Sequence, residues 1–250
     1  MWNITDRKQV KLKNPVLLEG LPGIANVGKV VCDYLAEQYK AEKIASYTSH
    51  HMPNTVFVNQ ENLVELPKIE LYHAKAKGKD YLFLLGDVQP NSEKANYEFC
   101  NQVLEHVKEL GCKQVITLGG IGMTESPSKP SVYCTGNDKN EIKQFVEKGA
   151  KDDIYGVVGP IIGVSGLLIG LSSSKDIKAV SLLVETYNHP MYLGLKEAKE
   201  ILKVLEKTHK LPVDYEEIDK EIKLSEKEMA GEDVESSMRK KNISETNYIG

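Results

Sequence analysis

The sequence predicts an α/β fold: a mostly parallel sheet with helices on both faces, a three-layer sandwich, followed by a charged helical extension. Three observations predict it. Aliphatic runs such as Val16-Leu17-Leu18, Tyr81-Leu82-Phe83-Leu84-Leu85 and Val115-Ile116-Thr117-Leu118 set apolar residues side by side, as strands buried on both faces do. Between them lie stretches with apolar residues three and four apart, the helical period. Past Pro212 aliphatic density falls and charge rises, so that this part cannot support a core of its own. The 250 residues therefore divide into a core domain of residues 1–211 and a C-terminal helical extension or tail of residues 212–250.

In chain order, residues 1–14 are polar and suit an edge segment leading into the first strand, at 16–20. Gly20, Pro22 and Gly23 form a tight turn, and Val27, Val30, Val31, Tyr34 and Leu35 mark the helix after it. Residues 43–48, 55–59 and 63–75 read as strands, the last with Leu66, Ile69, Leu71 and Tyr72 directed inward. A turn at Gly78-Lys79-Asp80 leads into the buried strand 81–87. Ser92 is placed to N-cap a helix carrying Tyr97, Cys100, Val103, Leu104, Val107 and Leu110 on one stripe, which Gly111 ends. Strand 114–118 is closed by Gly119-Gly120-Ile121-Gly122, and 132–135 form another strand. Asp138 and Glu141 have capping-box spacing for a helix through Lys148. The glycine-punctuated run 157–173 suggests a short, closely packed helix starting near Pro160. Residues 178–185 are the last buried strand and 195–209 the last strong helix. In the extension, Ile218, Ile222 and Met229 trace a thin apolar stripe.

With 41% hydrophobic and 27% charged residues and a formal net charge of −4, the chain shows no basic stripe for nucleic acid. Its longest apolar stretch, 157–171, is too short and too interrupted by glycine and proline for a membrane span. The first six residues lack the regions of a signal peptide, and the expectation is a cytoplasmic protein. Cys32, Cys100, Cys112 and Cys134 have neither C-x-x-C nor zinc-ligand spacing and read as small buried hydrophobes.

Gly23 to Lys29 reproduces G-x-x-x-x-G-K of a phosphate-binding loop, with Asp87 after an apolar strand as a candidate metal-binding acid. The next position should offer magnesium a hydroxyl, and Val30 has none, so Gly20, Gly23 and Gly28 read as packing glycines instead. Gly119, Gly120 and Gly122 follow a buried strand where open α/β sheets hold ligands, although such runs are commonly plain turns. Gly163-Val164-Ser165-Gly166 misses G-x-S-x-G because Leu167 takes the last glycine position. His50 and His51 are adjacent and point apart in extended chain, and the other histidines are isolated. No metal and no cofactor are expected.

The run Leu18-Glu19-Gly20-Leu21-Pro22-Gly23-Ile24-Ala25-Asn26-Val27-Gly28 resembles the opening signature of the proteasome assembly chaperone family, in its subunit-two type and archaeal relatives. Gly119-Gly120-Ile121-Gly122 and the segment from Gly159 to Leu168, with Gly163 and Gly166, are similar to the same family in order and spacing, over roughly residues 10–210. The resemblance implies a fold like that of purine nucleoside phosphorylases without their catalytic apparatus. It also implies a homo-oligomer, trimer to pentamer, that binds proteasome α-subunits or an α-like protein. Some archaeal relatives dock a tail ending in hydrophobic–tyrosine–any residue. Here the chain ends Asn247-Tyr248-Ile249-Gly250, with Tyr248 third from the end instead of penultimate. The expectation is a non-enzymatic assembly chaperone whose partner contacts include Ile218, Ile222, Tyr248 and Ile249 and whose glycine loops are structural. The alternatives are a small-molecule-binding or phosphorylase-like enzyme using the strand ends near Gly23, Asp87 and Gly120, and a structural oligomer knitted by its tail.

Overall fold

A computed structural model describes residues 1–156 and 158–229; Tyr248 and Ile249 lie outside the described residues. The chain divides into two compact units, Met1–Asp214 and a second starting at Tyr215. The first unit runs β1 (Asn3–Thr5), β2 (Val16–Gly20), α1 (Val27–Gln38), β3 (Glu42–Thr48), β4 (Phe57–Val58), β5 (Val64–Glu65), β6 (Ile69–Ala76), β7 (Lys79–Gly86), α2 (Glu93–Glu109), β8 (Gln114–Met123), β9 (Val132–Gly136), α3 (Lys139–Val146), α4 (Val164–Ser172), β10 (Lys178–Tyr187) and α5 (Leu195–His209). The second contains α6 (Glu216–Met229), which opens on Glu216, Glu217 and Asp219, where the helix dipole favours acids.

One eight-stranded sheet has the order β1-β3-β6-β7-β2-β8-β10-β9. Its centre, β7-β2-β8-β10, is parallel, and these strands carry the side-by-side apolar runs. The β6–β7 hairpin, β3 and the edge strands β1 and β9 pair antiparallel around it. Helices α2 and α4 cover one face over Leu17, Leu82, Leu84, Val115 and Ala179, to which they add Phe99, Val103 and Leu168. Helices α1, α5 and α3 cover the other. The Ser92 hydroxyl caps α2 by accepting from the Ala95 amide, and the Asp138 carboxylate caps α3 by accepting from Asn140 and Glu141.

Four local expectations are corrected. Gly119-Gly120-Ile121-Gly122 is no turn: β8 continues through it to Met123, in register with Leu183 to Thr186 of β10. The stretch 63–75 is two strands, because Pro67 supplies no amide and separates β5 from β6. Leu66, expected inward, therefore lies outside either ladder and is 74% exposed. Strand β4 is only two residues long and pairs with β5 in a separate hairpin. Helix α4 starts at Val164 instead of near Pro160, since Gly163 before it sits at φ 84°, outside the helical region.

Candidate protein-binding edge

The parallel strands deliver their carboxyl ends to one edge, and the β2–α1 turn occupies its middle. Gly20 lets α1 lie directly on β2: a Cβ there would stand 2.4 Å from the Cβ of Cys32. At Gly28 a Cβ would meet the Leu118 carbonyl oxygen at 2.3 Å, so the first turn of α1 presses on β8. Gly23, by contrast, has nothing within 4 Å of its missing Cβ. Ala25 and Asn26 adopt left-handed backbone, and the turn is held from inside by Asn26 N–H to the Gly23 carbonyl and Gly194 N–H to the Ala25 carbonyl. Lys29 reaches forward to Asp33, 2.9 Å away on the same helix. The lysine of the phosphate-loop motif is thus ion-paired along α1.

At the crevice between β2 and β8, where an α/β sheet would take a ligand, the chain packs closely against Gly120. A Cβ on Gly120 would stand 2.9 Å from the Ile24 carbonyl oxygen and 2.6 Å from Thr186 Cγ2. Gly119 and Gly122 face Leu183 and Asn188 at just over 3 Å. The Asp87 carboxylate accepts from the Lys68 amide at 2.8 Å through one oxygen, and its own amide donates to the Lys68 carbonyl.

The structure joins residues that the sequence kept far apart. Ser165, on the first turn of α4, donates its hydroxyl proton to Glu19 Oε2 at 2.8 Å, across 146 positions. Glu19 is fully buried in β2 and also accepts from the Leu21 amide at 3.1 Å. Burial pushes its carboxyl up from 4.5 to about 7, against the pull of those two hydrogen bonds. Gln89, after β7, holds both loops: its amide donates to the Pro22 carbonyl at 2.6 Å and its oxygen accepts from the Val164 amide at 3.1 Å. Gly166 lets the chain before α4 close over the helix, with the Ile161 oxygen 2.1 Å from where a Cβ would be. Ser165 is a tie between α4 and β2. Spacing in the sequence carries no sign of this network.

Among the described residues no group of three His, Cys, Asp or Glu side chains could hold a metal ion. All four cysteines are free and buried, and burial pushes each thiol up. No described helix is long and apolar enough to cross a membrane.

What this edge does present is apolar surface. Ile24 follows β2, Met123 ends β8, and Met191 follows β10, all exposed. The β4–β5 hairpin joins the carboxyl end of β3 to the start of β6, at the same edge, and exposes Val56, Val58, Leu63, Val64 and Leu66. Ile162, 83% exposed, leads into the α4 turn beside Gln89. A two-stranded hairpin cannot cover both its faces, and five aliphatic residues between 56 and 66 were its signal in the sequence. On α6, Ile218 is buried, Ile222 half-buried and Leu224 exposed.

The profile of the PAC2 family matches residues 17–231. An uncharacterised protein of Methanocaldococcus jannaschii is 29% identical over 213 residues, covering 85% of this chain and 80% of that one. The crystal structure of Pyrococcus furiosus PbaB, an archaeal proteasome activator, is similar with a TM-score of 0.83 at 27% identity, over 92% of this chain and 98% of that one. That of Pyrococcus furiosus PbaA, an archaeal homologue of proteasome-assembly chaperone, has a TM-score of 0.77 at 22% identity, over 92% and 90%.

Proposed function

The chain belongs to the PAC2 family, and on that premise we propose that it is a non-enzymatic assembly chaperone, a homo-oligomer of three to five copies that binds proteasome α-subunits or an α-like protein. The observation that carries this reading is the apolar carboxyl edge, where Ile24, Val64, Leu66 and Ile162 stand in solvent while the backbone of Ile24 packs closely on Gly120. Exposed apolar surface of that extent suits a protein partner. The likeness to a proteasome activator over nearly the whole chain supports the choice of partner. Residues Tyr248 and Ile249 add a second contact through the tail.

Light scattering after size separation tests the reading, with the protein alone and mixed with purified α-subunits. The expected result is three to five copies alone and a heavier complex in the mixture. A monomer that forms no complex with any α-type subunit refutes it. The enzyme alternative is tested by calorimetry with ATP–magnesium and with nucleosides and phosphate. Binding of ATP–magnesium that Lys29→Ala abolishes would overturn the packing role given to the β2–α1 turn.

A further inference from the structure

The opposite edge of the sheet carries a different surface. The amino ends of β2, β7, β8 and β10 surround a cavity of about 480 Å³, within the range of small-molecule sites. Lys13, Lys79, Lys113 and Lys178 line it, one from the approach or start of each parallel strand. In a chain with net charge −4, four lysines lining one cavity are a concentration of positive charge that composition does not predict.

The acid in the lining does not cancel this charge. Glu141 is engaged by Lys178 at 2.9 Å through one oxygen and by the Gln114 amide at 2.6 Å through the other. Lys13, Lys79 and Lys113 have no ion-pair partner among the described residues. His209, at the end of α5, lines the same cavity and is only 9% exposed, and its Nε2 is buried with no hydrogen-bond partner. A buried ring nitrogen without a partner is uncommon, because it loses water and gains nothing. Tyr81 and Phe145 fix the ring edge-on and tilted, so it cannot swing to another acceptor without disturbing the core. Burial, helped by the Lys79 charge, holds the imidazole neutral, down at about 4.

We propose that this cavity is a binding site for a small, multiply charged phosphate compound, held by Lys13, Lys79 and Lys113. Lysine ammoniums act as point charges for phosphate, whereas the flat fork that selects carboxylates belongs to arginine, and no arginine lines the cavity. The site lies across the sheet from the protein-binding edge and does not depend on the partner proposed there.

Calorimetry on the full chain in 150 mM salt uses pyrophosphate as the probe, with inorganic phosphate and citrate as comparisons. Saturable pyrophosphate binding below roughly 1 mM is expected, weaker for phosphate and weakest for citrate. The Lys79→Gln/Lys113→Gln variant should lose at least about tenfold in affinity, while Lys94→Gln on α2, outside the cavity, should bind as the parent does. The lysines are exposed, so the double variant should keep its unfolding temperature, which is measured alongside. Three results each overturn the proposal: no saturable pyrophosphate binding, equal binding by the double variant, or citrate binding as tightly as pyrophosphate.

Discussion

Replacing Glu19 with glutamine should make the stability of this protein less sensitive to alkali. The side chain is 0% exposed in the central strand β2, and burial raises its carboxyl from 4.5 to about 7. Between those values the native chain keeps the proton while the unfolded chain gives it up. The native state then binds more protons, so stability falls as pH rises through this window. At about 1.4 kcal/mol per pH unit the full penalty above pH 7 is about 3 kcal/mol. Glutamine has the same shape, still accepts from the Leu21 amide, and cannot ionise. Whatever fixed cost the amide brings opposite Ser165, the variant's stability relative to the parent should move in its favour by about 2.5 kcal/mol from pH 5 to pH 8. Urea unfolding at both pH values measures this, with salt and protomer concentration held constant because self-association would shift the midpoint. With an m-value of about 3 kcal/mol/M, the expected relative shift in midpoint is roughly 0.8 M. An offset equal at both pH values would refute the reasoning, since it would mean that Glu19 is ionised and fully compensated in the fold.

Other perturbations separate the roles of neighbouring groups. Gly28→Ala puts a methyl 2.3 Å from the Leu118 carbonyl oxygen and should cost about 3 kcal/mol in thermal or urea unfolding, whereas Gly23→Ala, exposed with extended backbone and open space, should stay within about 0.5 kcal/mol. Equal losses at the two glycines would contradict the packing account. His106, 2% exposed and bonded to the Tyr47 hydroxyl at 2.8 Å, is held by burial down at about 4. Its contribution is present above pH 6.5 and lost as pH falls towards 4, so His106→Gln should flatten the acid limb of the stability curve. Val64→Glu with Leu66→Glu, both at solvent-exposed positions, should leave unfolding unchanged and weaken the α-subunit complex at least tenfold, read by light scattering or calorimetry.

The parallel centre of the sheet was legible because strands covered on both faces leave unbroken aliphatic runs. Legibility failed where a partner strand decides the outcome. Gly119-Gly120-Ile121-Gly122 has the composition of a turn, yet pairing with β10 keeps it extended, and the missing side chains make room for Thr186 and Ile24. Leu66 fits an alternating pattern that Pro67 interrupts one residue later. At Gly20 and Gly28 a Cβ would run into neighbouring atoms, whereas Gly23 packs against nothing. Glu19 was visible only as a polar residue inside an apolar run, because its partner lies 146 residues on. The lysine ring shows the same limit: four strands that are neighbours in space start at scattered positions in the chain.

Gln89 has one further consequence. A single side-chain amide spans the Pro22 carbonyl and the Val164 amide, so the turn after β2 and the start of α4 open together or not at all. In hydrogen exchange the Val164 and Leu21 amides should therefore share one opening free energy, although 143 residues separate them in sequence. A strut of this kind would let the carboxyl edge meet the proposed partner as one stiff plate, with less ordering left to be done at the moment of contact.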